Sequence, residues 1–150
     1  MEFHGFGHVC LVVSDYDACV QFYEKVMHHL GMRPYIIGHP IFCGWFADEY
    51  MFVISHSAPA DDRFSQWRVG LHHLSFRATS REEVDSFAAM LKEIGARIIH
   101  PPELGPFWPG YYSILCEDPD GTRIEMNYIP KEGWDAVAAA SKKISDRAGE

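Results

Sequence analysis

The strongest constraint on how this chain can fold is an internal repeat. His8-Val9-Cys10-Leu11-Val12-Val13-Ser14 lies over His73-Leu74-Ser75-Phe76-Arg77-Ala78-Thr79 at an offset of 73 − 8 = 65, and the same offset pairs Phe22 with Phe87. With one residue of slippage, Leu30-Gly31-Met32-Arg33 matches Ile94-Gly95-Ala96-Arg97. Self-similarity at a fixed offset marks one structural unit used more than once. Each copy reads strand, polar turn, amphipathic helix, glycine stop, then three short strands.

The helices have local causes. Ser80 followed by Glu83 is a capping-box pattern, and Val84, Phe87, Leu91 and Ile94 then recur at helical spacing. In the first copy Cys19, Phe22, Val26 and Leu30 do the same, after candidate caps at Ser14 or Asp15. Gly31 and Gly95 suit the left-handed position that closes a helix. The strand candidates that follow are 34–37, 44–46 and 50–55 in the first copy, and 96–100, 111–116 and 122–128 in the second. Asp118-Pro119-Asp120-Gly121 is a hairpin turn signal.

The expected organisation is therefore one domain over residues 1–150. Module 1 spans 6–57, a linker with Pro59, Asp61 and Asp62 spans 58–69, and module 2 spans 70–130. A C-terminal helix and frayed tail cover 131–150, where Trp134, Val137 and Ile144 make a thin apolar surface. A module with one helix covers only one face of its sheet, so the two copies are expected to pair around a shared cleft. The fold class is α+β, two paired βαβββ modules.

Strand alternation decides which side chains enter that cleft. Val9, Leu11 and Val13 form the helix-side set, leaving His8, Cys10 and Val12 facing the cleft. By the same parity His73, Ser75 and Arg77 face it from the second copy, with His72 directed to the opposite face. In the last strand Ile124, Met126 and Tyr128 are the helix-side set, leaving Arg123, Glu125 and Asn127. Two histidines at equivalent repeat positions and one carboxylate make a set suited to Zn, Ni, Co, Mn or Fe(II), with coordination positions left open for substrate or water. A structural alternative is that Arg123 or Arg77 neutralises the inward Glu125.

Composition excludes other classes. Thirteen basic against twenty-one acidic residues give a formal charge of −8 and no basic stripe, so no nucleic-acid partner is expected. No apolar run approaches the roughly 20 residues of a membrane span, so no membrane partner is expected. The N-terminus lacks the regions of a signal peptide, and a cytoplasmic location is expected. The four cysteines, Cys10, Cys19, Cys43 and Cys116, show no C-x-x-C spacing and read as buried reduced thiols.

The stretches Gly7-His8-Val9-Cys10-Leu11, Leu71-His72-His73-Leu74-Ser75-Phe76 and Asp118-Pro119-Asp120-Gly121-Thr122-Arg123-Ile124-Glu125-Met126 resemble the vicinal oxygen chelate superfamily. That superfamily includes glyoxalase I, bleomycin-resistance proteins, fosfomycin-resistance thiol transferases and extradiol dioxygenases. The resemblance runs over about residues 6–130. It implies a glyoxalase/dioxygenase-like fold, one divalent metal ion held by His8, His73 and Glu125, and a small-molecule substrate that chelates it through adjacent oxygens. It also implies a homodimer, with sites shared between subunits in some members.

Within that resemblance the reaction is less constrained than the ligands. Laying Phe52-Val53-Ile54-Ser55 over Arg123-Ile124-Glu125-Met126 puts Ile54 where glyoxalase I of the usual kind has a second carboxylate. His56 shares the parity of Ile54, as a displaced base or a surface histidine. The extradiol signature has a Tyr where Leu115 stands, with Tyr111 and Tyr112 as displaced substitutes, and the fosfomycin transferases have a Thr where Cys10 stands. The reading is a metal-dependent glyoxalase-like lyase or isomerase that stabilises an oxyanion of a small oxygenated substrate. Glu125, His56 and Tyr111 are the candidate catalytic residues, and a metal-bound water is a further candidate base. The alternatives are an Fe(II) extradiol-type ring-cleaving dioxygenase and a non-catalytic protein that sequesters a small molecule such as an antibiotic. The segment from Pro101 to Gly110 is a candidate lid or a plain structural crossover, and Trp45 and Phe46 are candidate cleft-lining or core residues.

Overall fold

The computed structural model describes residues 2, 4–56, 59 and 61–148. Residue 57 of module 1, residues 58 and 60 of the expected linker and residues 149–150 of the tail lie outside the described residues. The chain runs β1 (His8–Val13), α1 (Tyr16–His29), β2 (Arg33–Ile36), β3 (Phe42–Ala47), β4 (Tyr50–His56), β5 (Leu74–Arg77), α2 (Arg81–Glu93), β6 (Arg97–Leu104), β7 (Tyr112–Glu117), β8 (Arg123–Tyr128) and α3 (Lys131–Ala148). Two four-stranded mixed sheets share one strand order, β1-β4-β3-β2 and β5-β8-β7-β6. In each, the strand before the helix pairs in parallel with the last strand, and the other pairings are antiparallel. The βαβββ repeat is thus realised twice, in an α+β fold.

The chain divides into two compact units, Met1–Gly70 with Asp118–Thr122, and Leu71–Glu117 with Arg123–Glu150. The described part of the expected linker therefore belongs to the first unit. So does the turn between β7 and β8.

Each helix starts and stops for a visible reason. Asp15 caps α1 by accepting from the Ala18 N–H at 3.2 Å. Ser80 accepts from the Glu83 N–H at 3.3 Å, and the Glu83 carboxylate accepts from the Thr79 N–H at 2.6 Å, one residue earlier than in the usual reciprocal box. Gly31 and Gly95 close α1 and α2 at φ 74° and 71°, which lets the next residue's N–H turn back onto the helix: Met32 to Met27 O, and Ala96 to Leu91 O. One face of each helix then packs on its own sheet. In the first unit Val13, Cys19, Tyr23, Val26, Met27, Trp45, Phe52 and Ile54 are buried; in the second Val84, Phe87, Leu91, Ile114, Cys116 and Ile124 are. A side chain of this size adds about 1.5–3 kcal/mol when fully buried.

The Asp118-Pro119-Asp120-Gly121 turn does more than reverse the chain. Asp120, buried in the first unit, accepts from the Ser14 and Asp15 N–H groups and from the Ser14 hydroxyl at 2.8 Å. These donors sit between the end of β1 at Val13 and the start of α1 at Tyr16, and Asp15 is the helix's N-cap. Asp118 accepts from the Tyr23 hydroxyl at 2.7 Å and from the N–H groups of Asp120 and Thr122. Burial pushes the Asp118 carboxyl up from its ordinary value, against the pull of those donors.

Three expectations need correction, and one open alternative is decided. Cys10 is exposed, because it lies on the face of β1 away from α1; Cys19, Cys43 and Cys116 are buried, and all four are free thiols. Trp45 is core, tilted against Tyr23 and Phe52. Pro101 to Leu104 belong to β6 and are not loop. That strand lies at the sheet edge, where a missing N–H costs no ladder bond, and the register slips between His100 and Glu103. Last, His72 does not point away from His73: the two Nδ1 atoms are 2.7 Å apart, since β5 begins only at Leu74 and strand alternation does not govern the residues before it.

Candidate metal centre

In the second unit β5 and β8 run in parallel register, with Ser75 opposite Glu125 and Arg77 opposite Asn127. Ile124 and Met126 are buried among the helix-side residues, so alternation turns Glu125 and Asn127 to the other face. Glu125 is itself buried. A carboxylate removed from water is costly unless it is paired and hydrogen-bonded, and here both oxygens are engaged. Oε2 lies 3.0 Å from His73 Nε2, and the Tyr111 hydroxyl donates to Oε1.

Tyr111 is held in turn. Asn127 Nδ2 donates to the Tyr111 oxygen at 3.2 Å and to Ser75 Oγ at 2.8 Å. Burial, then the bond to Glu125 and its charge, push the Tyr111 phenol up to about 12, so it keeps its proton at neutral pH. The loop carrying Tyr111 is pinned by its own backbone: Tyr111 N–H donates to Trp108 O, and Gly105 N–H to Tyr111 O. A Cβ on Gly105 would stand 2.7 Å from Tyr111 Cδ1, so glycine is what allows the ring into this position. Phe107 meets the same ring edge-on at 5.4 Å.

The arginines named as partners for Glu125 are elsewhere. Arg123 approaches Glu117 at 3.6 Å, and the Arg77 guanidinium stacks over Trp134 at 5.2 Å. The carboxylate is thus left with an imidazole and a phenol as its partners. Both the imidazole and the carboxylate are donor types that bind divalent metals, and at hydrogen-bond distance they can share a proton or converge on one ion.

The remaining candidates lie in the first unit. His8 begins β1, exposed, at the repeat position of His73. His56 ends β4 with its ring stacked on Tyr16 at 5.6 Å, on the helix side of its sheet. This placement follows from a register that corrects the expected overlay. Cys10 pairs with Val53 as Ser75 pairs with Glu125, so Val53, not Ile54, holds the position equivalent to Glu125. Ile54 is fully buried beneath α1, and His56 shares its parity. His56 is thereby removed from the ligand-bearing face. Among the described residues no three His, Cys, Asp or Glu side chains form a group set to hold a metal; the second unit brings together two of the three expected ligands. Asn127 and Ser75 were visible in the sequence only as cleft-facing residues, and their hold on Tyr111 depends on the β5–β8 register.

A model of the Glyoxalase/Bleomycin resistance protein/Dioxygenase superfamily matches residues 5–126. The chain is 31% identical over 123 residues to an uncharacterised protein, YqjT, of Bacillus subtilis (strain 168), covering 79% of this chain and 94% of that one. A glyoxalase/bleomycin resistance protein from Albidiferax ferrireducens T118 superposes with a TM-score of 0.67 at 26% identity, covering 83% of this chain and 98% of the other. Lactoylglutathione lyase from Agrobacterium tumefaciens shares the fold, with a TM-score of 0.63 at 17% identity over 85% and 96% of the two chains.

Proposed function

Because the chain belongs to the Glyoxalase/Bleomycin resistance protein/Dioxygenase superfamily, whose members typically bind a divalent metal ion, we propose that it is a metal-dependent enzyme of lyase or isomerase type acting on a small oxygenated substrate. Glu125 and His73, which the second unit brings together, would hold the metal; His8 is the further ligand that the sequence names. The observation that carries this reading is the engagement of Glu125: Oε2 on His73, Oε1 on Tyr111, and, among the described residues, no arginine on either.

A bound divalent ion (Zn, Ni, Co, Mn or Fe(II)) supplies Lewis-acid stabilisation of an oxyanion that develops next to a carbonyl. The chain's own residues orient the carboxylate. Tyr111 ties down Oε1 and so aims Oε2; Asn127 keeps the phenol from rotating away; Gly105 gives the ring room. Proton abstraction falls to a group other than His56, whose ring lies against α1. With Val53 at the position equivalent to Glu125, the first module adds no carboxylate there.

The test is solvent-deuterium exchange at the carbon next to the carbonyl in a panel of α-hydroxy and α-oxo carbonyl compounds, with metal-replete protein. Exchange that is lost in Glu125→Gln supports the proposal. Catechol-dependent oxygen uptake with the Fe(II)-loaded protein, and no exchange, overturns it in favour of ring cleavage.

A further inference from the structure

The face of the second sheet that carries Glu125 continues two residues further, to Arg77 and Asn127. One such strand step is about 7 Å. There the structure holds a cavity of about 370 Å³, lined by Arg77, Thr79, Tyr128, Lys131 and Trp134 among others. That volume falls within the range of small-ligand sites, roughly 300–1,000 Å³. All of these residues belong to the second unit.

Two cations, a hydroxyl and two aromatic rings make an unusual wall in a chain of net charge −8. Lys131 is partly neutralised by Asp135 at 2.7 Å, one helical turn along α3. Arg77 differs. Its guanidinium lies over the Trp134 ring at 5.2 Å, and no carboxylate among the described residues forms an ion pair with it. Stacking uses the face of a guanidinium and leaves its in-plane N–H donors available. The stack also fixes the fork's orientation, so less freedom is lost when it grips an oxyanion. An arginine stacked, unpaired by acid and set at a cavity wall is built to receive a planar or tetrahedral anion.

We propose that this cavity binds the anionic end of the substrate, an oxyacid group of carboxylate or phosphate type gripped by Arg77, while the oxygens that react lie toward His73 and Glu125. The substrate class is then a small oxygenated acid and not a neutral carbonyl compound. Trp134 positions Arg77 and offers an apolar surface to the carbon skeleton. The inference rests on the metal-site reading for the direction in which the ligand lies, but the anion site itself does not require metal.

The test is titration of the metal-free protein with benzoate, phenyl phosphate and neutral benzyl alcohol, followed by amide and indole N–H shifts in nuclear magnetic resonance spectra. Saturable shifts at Trp134, Thr79 and Lys131 are expected with an anion and not with benzyl alcohol, and the tighter of the two anions identifies the oxyacid. Arg77→Met, which keeps the bulk over Trp134, should weaken binding by about tenfold or more, the order of one lost charge-assisted hydrogen bond. Arg77→Lys should fall between, because the charge remains without the fork, and it serves as the check if the methionine variant is poorly folded. Glu125→Gln should keep the saturable shifts, at equal or tighter affinity because a nearby negative charge is removed, so failure of the metal reading alone does not remove them. Absence of saturable shifts, equal binding of benzyl alcohol, or wild-type affinity in both Arg77 variants overturns the inference.

Discussion

Asp120 offers a quantitative test of how the first unit is assembled. It is buried, with 5% of its surface exposed, and its carboxylate accepts from two backbone N–H groups and one hydroxyl at the start of α1. Asp120→Ala removes all three acceptor contacts and strands the Ser14 and Asp15 N–H groups. A hydrogen bond to a charged group contributes about 1.5–3 kcal/mol, and such contacts are not additive. A loss of about 3 kcal/mol is therefore expected. At roughly 2–4 °C per kcal/mol for a chain of this size, the melting temperature should fall by about 6–12 °C. Asp120→Asn keeps one carbonyl oxygen for the Ser14 N–H and presents an amide that the Ser14 hydroxyl can accept from, so it should lose about half as much. Differential scanning calorimetry of the three proteins reads both values. An alanine variant melting within about 2 °C of wild type, or an asparagine variant as damaged as the alanine one, would refute the assignment of Asp120 as the anchor of α1.

The strand register predicts opposite outcomes at neighbouring positions. Ile54→Glu puts a charge beneath α1 and should lower the melting temperature by about 8 °C or more, whereas Val53→Glu places it on the face equivalent to that of Glu125 and should cost only a few degrees, about 1 kcal/mol. Equal damage at both sites would contradict the register. Cys10 should be the thiol that reacts with a disulfide reagent in the native protein, and Cys10→Ser should abolish that fast phase. Burial raises the Cys43 thiol from 9.0 to about 11. A raised folded-state value means that its contribution to stability is complete below pH 9.0 and is lost as pH rises through about 11. Alkaline melting curves of wild type and Cys43→Ala should therefore converge across that window; parallel curves would show that Cys43 does not contribute. Tyr111→Phe should weaken metal binding by about 10- to 100-fold, as loss of a bond to a ligand does, with Gly105→Ala in the same direction through displacement of the ring.

Much of this fold is written in local sequence. The 65-residue repeat, the glycine stops and the cap at Ser80 specify two βαβββ modules because each acts within a few residues. The parity of β1, β5 and β8 is legible for the same reason: one apolar face per strand sets the alternation. Legibility fails where a one-residue shift decides the outcome. Overlaying 52–55 of β4 on 123–126 of β8 picks Ile54, while pairing with β1 picks Val53 and sets the buried Phe52 and Ile54 over the buried Ile124 and Met126; the one-residue slip carries His56 to the wrong face. His72 was misjudged because strand alternation was extended to residues before the strand begins. Arg77 and Trp134 meet across 57 residues of sequence (134 − 77 = 57), so no local pattern announces their stack. The sequence marks Tyr111 as a displaced substitute for the extradiol-signature Tyr and as a candidate base, but its hold on Glu125 comes from loop geometry that Gly105 permits.

The central proposal is a divalent metal ion held through His73 and Glu125, with His8 the further ligand that the sequence names. Elemental analysis of protein purified from metal-replete cells, wild type beside His8→Ala, His73→Ala, Glu125→Gln and His56→Ala, tests it most directly. The account predicts about one ion per chain in wild type and in His56→Ala, and a loss of most of it in each of the other three. Wild-type protein that stays metal-free, or His73→Ala and Glu125→Gln proteins that keep the wild-type complement, would contradict it.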